Sequence, residues 1–148
     1  MTTFVFTELV PTEKVLSAAL GPNTSTKFAD ADVGKAVKLG SANNYVLVEA
    51  GDEIEGFVTS IEPFTVNNGF SFGGVVVSGR VTAEVGANQG GTPMAVGDYV
   101  VADAPVALGT AGKAQVKTGT PTKFLWRCVR VVSGTGAAGS VVLLERIN

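Results

Sequence analysis

Gly73-Gly74-Val75-Val76-Val77-Ser78-Gly79-Arg80-Val81-Thr82-Ala83-Glu84-Val85 is the stretch that sets the fold class. After a valine run and a glycine, Val81, Ala83 and Val85 point one way while Arg80, Thr82 and Glu84 point the other. That period of two is a strand with one wet face. Valine, stiff at its branched Cβ, suits the extended backbone on both sides of Gly79.

The same texture continues outward. Residues 35–39, 45–50 and 55–61 read as strands separated by Gly40-Ser41-Ala42-Asn43-Asn44 and Gly51-Asp52. Val66-Asn67-Asn68-Gly69-Phe70 is a hairpin signal, because Asn and Gly tolerate the positive φ of a tight two-residue turn. Residues 86–93 are polar and glycine-rich and are expected as an exposed, disordered or partner-contacting loop. Gly97-Asp98 then repeats the Gly51-Asp52 corner ahead of residues 99–102. The echo is too short to define a duplicated domain and fits a barrel in which similar corners recur. Strands at 114–116, 122–132 and 140–147 close the chain, the longest expected from about Thr122.

Upstream, residues 3–9 alternate with Phe4 and Phe6 on one face until Val10-Pro11 interrupts. Val15, Leu16, Ala19 and Leu20 fit a helical turn or two, or an extended segment, before Gly21-Pro22. The polar stretch to Gly34 carries turn and cap residues and little apolar content. Residues 1–34 are therefore expected as an extended N-terminal arm, and residues 35–148 as one all-β domain, a single compact β-barrel or β-sandwich.

Composition supports this and narrows the chemistry. Aromatic residues make up 7% of the 148, while 19 glycines and six prolines supply turns for many short strands. With no histidine, the side chain that most often moves protons near neutral pH is missing. The single cysteine, Cys128, cannot form an internal disulfide, and no leader or membrane anchor is expected, so a reducing interior is the expected compartment. On the strand face of Phe124 and Trp126, Cys128 reads as a buried thiol with no base to activate it.

Three apparent motifs read as structure. Gly134-Thr135-Gly136-Ala137-Ala138-Gly139 has the letters of a dinucleotide fingerprint, but a strand follows where the chemistry needs a helix N-terminus, so a hairpin turn is expected. Gly109-Thr110-Ala111-Gly112-Lys113-Ala114 lacks the spacing and the hydroxyl of a phosphate loop. Asp30, Asp32, Asp52, Glu53 and Glu55 do not follow calcium-loop spacing and are expected to accept backbone amides at turns. No catalytic residue, cofactor or metal is expected.

Charge is segregated. Between Asn44 and Asp103 eight acids face Arg80 alone, a net of −7, whereas Ala104 to Leu144 carries Lys113, Lys117, Lys123, Arg127 and Arg130 with no acid, a net of +5. Either acidic and basic strands neutralise each other across the sheet, or they lie on opposite flanks and orient copies of the chain. Five bases without interleaved aromatics do not make a nucleic-acid surface. Arg127 and Arg130 face opposite ways on one regular strand, which puts Arg130 on the Trp126 face. Phe4, Phe6, Arg127 and Arg130 are the interface candidates.

Across residues 34–148 the chain resembles tailed-phage capsid decoration, or cement, proteins. The resemblance rests on Gly51-Asp52-Glu53-Ile54-Glu55-Gly56-Phe57-Val58, on Gly97-Asp98-Tyr99-Val100-Val101 and on the closing Val- and Leu-rich strand. It implies a non-enzymatic structural protein on the virion surface, assembled in the host cytoplasm. Such a protein binds the major capsid protein of an assembled head, commonly as a trimer, and stiffens the shell against DNA pressure. It transfers no site residues. The alternative is a small β-barrel module that binds a carbohydrate or other ligand through Tyr45, Tyr99 and Trp126. An enzyme working through carboxylates such as Glu53 and Glu55 ranks third.

Overall fold

The computed structural model describes residues 13–21, 27–67 and 70–148. The fold is all-β. Strands β1 (Lys14–Leu20), β2 (Ala36–Leu39), β3 (Tyr45–Leu47), β4 (Gly56–Asn67) and β5 (Phe70–Ser78) close a barrel in the order β1-β3-β2-β4-β5. Strands β6 (Arg80–Val85), β7 (Val100–Ala102), β8 (Gln115–Thr118), β9 (Trp126–Ser133) and β10 (Val141–Arg146) form a second sheet in the order β7-β8-β6-β10-β9. A 3₁₀ turn at Asp30–Asp32 precedes β2.

The two units repeat one topology. β1 runs parallel to β3 and antiparallel to β5, as β6 does to β8 and β10. β2 and β3 pair antiparallel, as β7 and β8 do, and so do β4 with β5 and β9 with β10. The remaining barrel contact, β2 with β4, has its counterpart in an isolated antiparallel bridge between Tyr99, beside β7, and Arg127 of β9. Gly79 alone separates the units.

Corner hydrogen bonds follow the repeat. Val33-Gly34-Lys35 leads into β2, where the Gly34 amide donates to the Val58 carbonyl at 2.7 Å and the Val58 amide to Lys35 at 2.9 Å. Val96-Gly97-Asp98 leads into β7 and holds Cys128 by the same two bonds, at 2.7 and 2.8 Å. Gly51-Asp52 grips Ala102 in this way too. Gly34, Gly51 and Gly97 have φ near +90° and open space around their α-carbons. Backbone conformation, not crowding, therefore selects glycine at these corners.

The quoted valine run sits where the units meet. Val75 is buried in the barrel core with Leu20, Phe28, Val37, Tyr45 and Val58. Its neighbour Val76 faces the larger core, where Ala36, Ile54 and Phe57 pack against Val100, Trp126, Val142 and Leu144. A strand buried on both faces reads as a continuous apolar run rather than an alternation, which is why valines 75 to 77 precede the alternating β6.

Two boundaries differ from the sequence expectation. Residues 14–20, expected as part of an arm reaching to Gly34, are a barrel strand paired with β5 along its whole length. Of the helical and extended readings of Val15, Leu16, Ala19 and Leu20, the extended one is found, because β5 supplies the ladder that an isolated segment lacks. The longest strand is β4, with 12 residues; β9 has eight and begins at Trp126, because residues 122–124 turn to meet Glu53. The hairpin register holds, Asn67 pairing with Phe70, while Asn68 and Gly69 lie outside the described residues.

Candidate functional site

β9 does not alternate regularly. Leu144 pairs with Cys128 and Leu143 with Arg130, so Val129 and Arg130 together oppose one residue of β10. This bulge shifts the side-chain phase by one. Trp126 and Cys128 point into the core, Val131 packs against it, and Arg130 turns outward and is exposed. The expected placement of Arg130 on the Trp126 face is therefore corrected. A guanidinium inside that apolar core faces a desolvation cost that the outward turn avoids.

The outer surface of β9, β10 and β6 gathers arginines from non-adjacent parts of the chain. Glu145 lies opposite Arg80 on one side and Arg127 on the other. Its carboxylate is 3.4 Å from Arg80 Nε. Leu143 lies opposite Arg130, and a depression of about 270 Å³ is lined by Arg80, Val129, Arg130 and Leu143. Val132 is 46% exposed beside it. The guanidinium groups of Arg127 and Arg130 have no hydrogen bond or ion pair among the described residues. Arg80, paired with Glu145, and Arg127 and Arg130, with apolar side chains between, form a surface suited to carboxylates carried on an apolar segment. Arg80 and Glu145 were not singled out in the sequence, since only the β6–β10–β9 register brings them to Arg127. Phe4 and Phe6 lie outside the described residues.

Acids at the turns accept backbone amides. Asp52 accepts the Glu49 amide at 2.7 Å and Asp98 the Ala95 amide at 2.8 Å, the same bond at both Gly-Asp corners. Asp103 binds Asn88 through its backbone and side-chain amides at 2.8 and 2.7 Å, with Lys117 at 4.0 Å. The loop at residues 86–93 is thus exposed but pinned at its base. Glu53 and Glu55 do not form a pair of reacting carboxylates. Glu53 accepts the amides of Thr122, Lys123 and Phe124 at 2.7 to 3.1 Å, whereas Glu55 accepts the Leu39 amide at 3.0 Å. No group of three or more His, Cys, Asp or Glu among the described residues is placed to hold a metal.

These bonds shift titration. The Lys123 amide, then those of Phe124 and Thr122, hold the Glu53 carboxyl below its ordinary 4.5 despite partial burial. In Asp52 and Asp103 burial pushes upward, but hydrogen bonds from Lys38 and Glu49, and from Asn88 and Ala104, outweigh it and leave both below 3.8. A carboxyl whose folded pKa is depressed adds stability above its unfolded pKa, and this is lost as pH falls through the folded value. The melting temperature is accordingly expected to hold down to about pH 4 and to fall below it. Glu53→Gln is expected to lower the melting temperature at pH 7 and to converge with the parent near pH 2. A constant gap between the two curves across that range contradicts the assignment.

The aromatics proposed for a ligand platform are not brought together. Trp126 is fully buried and donates its indole N–H to the Ile54 carbonyl at 3.0 Å, Tyr45 is buried in the barrel core, and Tyr99 is 38% exposed on the second sheet. A cleft of about 370 Å³ at the junction of the units has a different composition, with Lys14, Tyr45, Glu55, Phe124 and Arg146 among its walls. The Arg146 guanidinium lies 5.0 Å from the Phe124 ring centre and 5.9 Å from that of Trp126, and donates to the Val77 carbonyl at 3.0 Å. Burial lowers its pKa against the pull of Glu55 and Tyr45. Burial, with the Glu55 carboxylate adding to it, raises that of the Tyr45 hydroxyl. Sequence spacing offered no signal for this cleft, whose walls come from distant segments.

The glycine-rich motifs are structural. Residues 134–139 connect the antiparallel β9 and β10, as expected for a hairpin turn. Gly109 and Thr110 supply an amide and a carbonyl to the buried Asp32 and Lys35. Cys128 is buried, and burial raises its thiol pKa, opposite to the shift of a reactive thiolate.

Comparison of the chain with protein-family models, with curated proteins and with solved structures finds no match.

Proposed function

We propose that this chain is a structural protein that decorates and cements an assembled phage head, binding the major capsid protein on the outer surface of the virion as a homotrimer. The observation that carries the reading is the outward arginine face of β9, β10 and β6, where Arg127 and Arg130 have no ion pair among the described residues and stand beside the half-buried Val129 and Leu143 and the exposed Val132. Such a face gives orientation and association rate to a repeated contact with an acidic surface. Segregated charge along the chain supports the same reading, as does the diversion of Asp32, Asp52, Glu53, Asp98 and Asp103 into turn hydrogen bonds.

The test is co-sedimentation with shells assembled without the protein. Arg127→Gln with Arg130→Glu is expected to abolish attachment while leaving the thermal transition within about 2 °C, because both side chains are outside the core and no like charge is set opposite Glu145. Attachment of the double variant at parental strength removes this face from the reading. A ligand-binding module is the second reading, favoured by the junction cleft with its cations, Tyr45 and Phe124. Calorimetric titration with a soluble glycan that saturates the protein, and weakens on Phe124→Ala, selects that reading instead.

A further inference from the structure

The repeat of strand pairing extends to single residues. At the end of β1 Leu20 faces Tyr45 and the Gly21 amide donates to the Tyr45 carbonyl at 2.8 Å. At the end of β6 Val85 faces Val116 and the Gly86 amide donates to the Val116 carbonyl, also at 2.8 Å. Val58, held by Gly34, pairs with Val75, as Cys128, held by Gly97, pairs with Leu144. The counterpart of Gly97 is therefore Gly34 and not Gly51. Leu20, Val37, Tyr45, Val58 and Val75 of the barrel core correspond to Val85, Val100, Val116, Cys128 and Leu144, and every one is buried.

Aligned in this way, the sequence repeats as well. Leu16-Ser17-Ala18-Ala19-Leu20-Gly21-Pro22-Asn23 lies over Val81-Thr82-Ala83-Glu84-Val85-Gly86-Ala87-Asn88, with alanine, glycine and asparagine identical, leucine matched twice to valine and serine to threonine. Shared pairing, shared buried positions and shared local sequence together mark an internal repeat.

The outer faces of the two units have diverged. In the first unit the cross-strand row Val15, Val76, Phe57 and Ala36 runs from β1 to β2. Val76, Phe57 and Ala36 are buried against Trp126, Val142 and Leu144 of the second unit. The matching row of the second unit is Arg80, Glu145, Arg127 and Tyr99. Tyr99 is 38% exposed, and the Arg127 guanidinium has no hydrogen bond or ion pair among the described residues. The first row is an occupied interface, and its counterpart is open.

We propose that the chain is a tandem duplication of one β unit stacked head to tail, and that the arginine face is the second unit's copy of the face with which the first unit holds the second, recharged for an acidic protein surface. The last unit of a stack has no successor, and an apolar row left exposed there favours unwanted association. Arginines keep the face soluble and give it a charge preference. The rest of the chain cannot neutralise it: residues 1–12, 22–26 and 68–69, outside the described ones, carry a single acid, Glu8, against both Arg127 and Arg130. The acidic surface rests on the shell reading, whereas the duplication and its docking face do not.

The matched stretches are exchanged to test the duplication. Copying residues 16–23 into 81–88, by Val81→Leu, Thr82→Ser, Glu84→Ala, Val85→Leu and Ala87→Pro, is expected to leave a cooperative melt within about 10 °C of the parent, since each side chain keeps its face. Copying the same eight residues one position later, into 82–89, is expected to abolish the transition. The shift turns the apolar set outward and includes Gly86→Leu, where a Cβ overlaps the Asp103 carboxylate. Unfolding of the in-register copy, or equal effects of the two copies, overturns the duplication. For the face, Arg80→Val, Arg127→Phe and Glu145→Val give the second unit the row of the first. The triple variant is expected to melt within about 5 °C of the parent and to sediment as a larger species, whereas Lys113→Phe with Lys123→Val, off this face, sediments as the parent. A triple variant that sediments as the parent, or equal growth of the lysine variant, removes the docking role of the row. Both measurements are made without shells, so a failure of the shell reading is seen separately.

Discussion

Lys35→Met is expected to lower stability by about 3–5 kcal/mol, the usual cost of removing one partner from a buried ion pair. Lys35 is 1% exposed and Asp32 is fully buried, with Nζ 2.5 Å from Asp32 Oδ1. The same ammonium donates to the Ala107 and Thr110 carbonyls, each at 2.7 Å, and Asp32 accepts the Ala29 and Gly109 amides at 2.8 and 2.9 Å. This one cluster fastens the loop between β7 and β8 onto the 3₁₀ turn of the first unit. Methionine fills much of the lysine stem but leaves a carboxylate without its cation and two carbonyls without a donor. For a domain of this size the loss corresponds to a drop of roughly 10 °C in melting temperature. Denaturant titration followed by the fluorescence of Trp126 measures it directly. A loss below about 1 kcal/mol means the carboxylate finds water or another donor, and the cluster is then not the fastening described.

Trp126→Ala is expected to cost a similar 3–5 kcal/mol, here through a cavity. Trp126 is fully buried, its ring meets Phe57 edge-on at 4.9 Å and 85°, and its N–H satisfies the Ile54 carbonyl. These contacts join β9 of the second sheet to β4 and the approach to it in the barrel, so the loss falls on the packing between units. Trp126→Phe separates the two contributions. It keeps most of the apolar volume and leaves a buried carbonyl unpaired, for an expected loss of about 1–3 kcal/mol. Circular dichroism melts of the three proteins test the order parent, Phe, Ala; a Phe variant as unstable as Ala assigns the stabilisation to the hydrogen bond instead.

Much of the fold was legible in the chain because its signals are local. Val81, Ala83 and Val85 alternate in β6 as read, and the Asn-Gly signal sets the pairing of Asn67 with Phe70. The Gly51-Asp52 and Gly97-Asp98 corners share their hydrogen bonds because both need the same backbone conformation at glycine. Cys128 and Trp126 share a buried face, as the spacing required. The candidate site was only half legible. Arg127 and Arg130 were named, but the bulge that turns Arg130 outward is set by the register against β10, where Leu143 and Leu144 choose their partners. No local pattern in residues 126–133 carries that information.

Local backbone preference and hydrophobic period belong to neighbouring residues, so the all-β class, the turns and the buried strand faces were already determined by the order of amino acids. Which strands become neighbours depends on contacts between residues far apart in the chain. Only the tertiary structure therefore decided that residues 14–20 complete a barrel, that one five-strand pairing occurs twice, and that Lys35 is buried beside Asp32. It likewise decided that Arg80, Arg127 and Arg130 meet on one outer face. Burial of a charge or exposure of an arginine is a property of what packs against it, and packing is fixed when the whole chain closes.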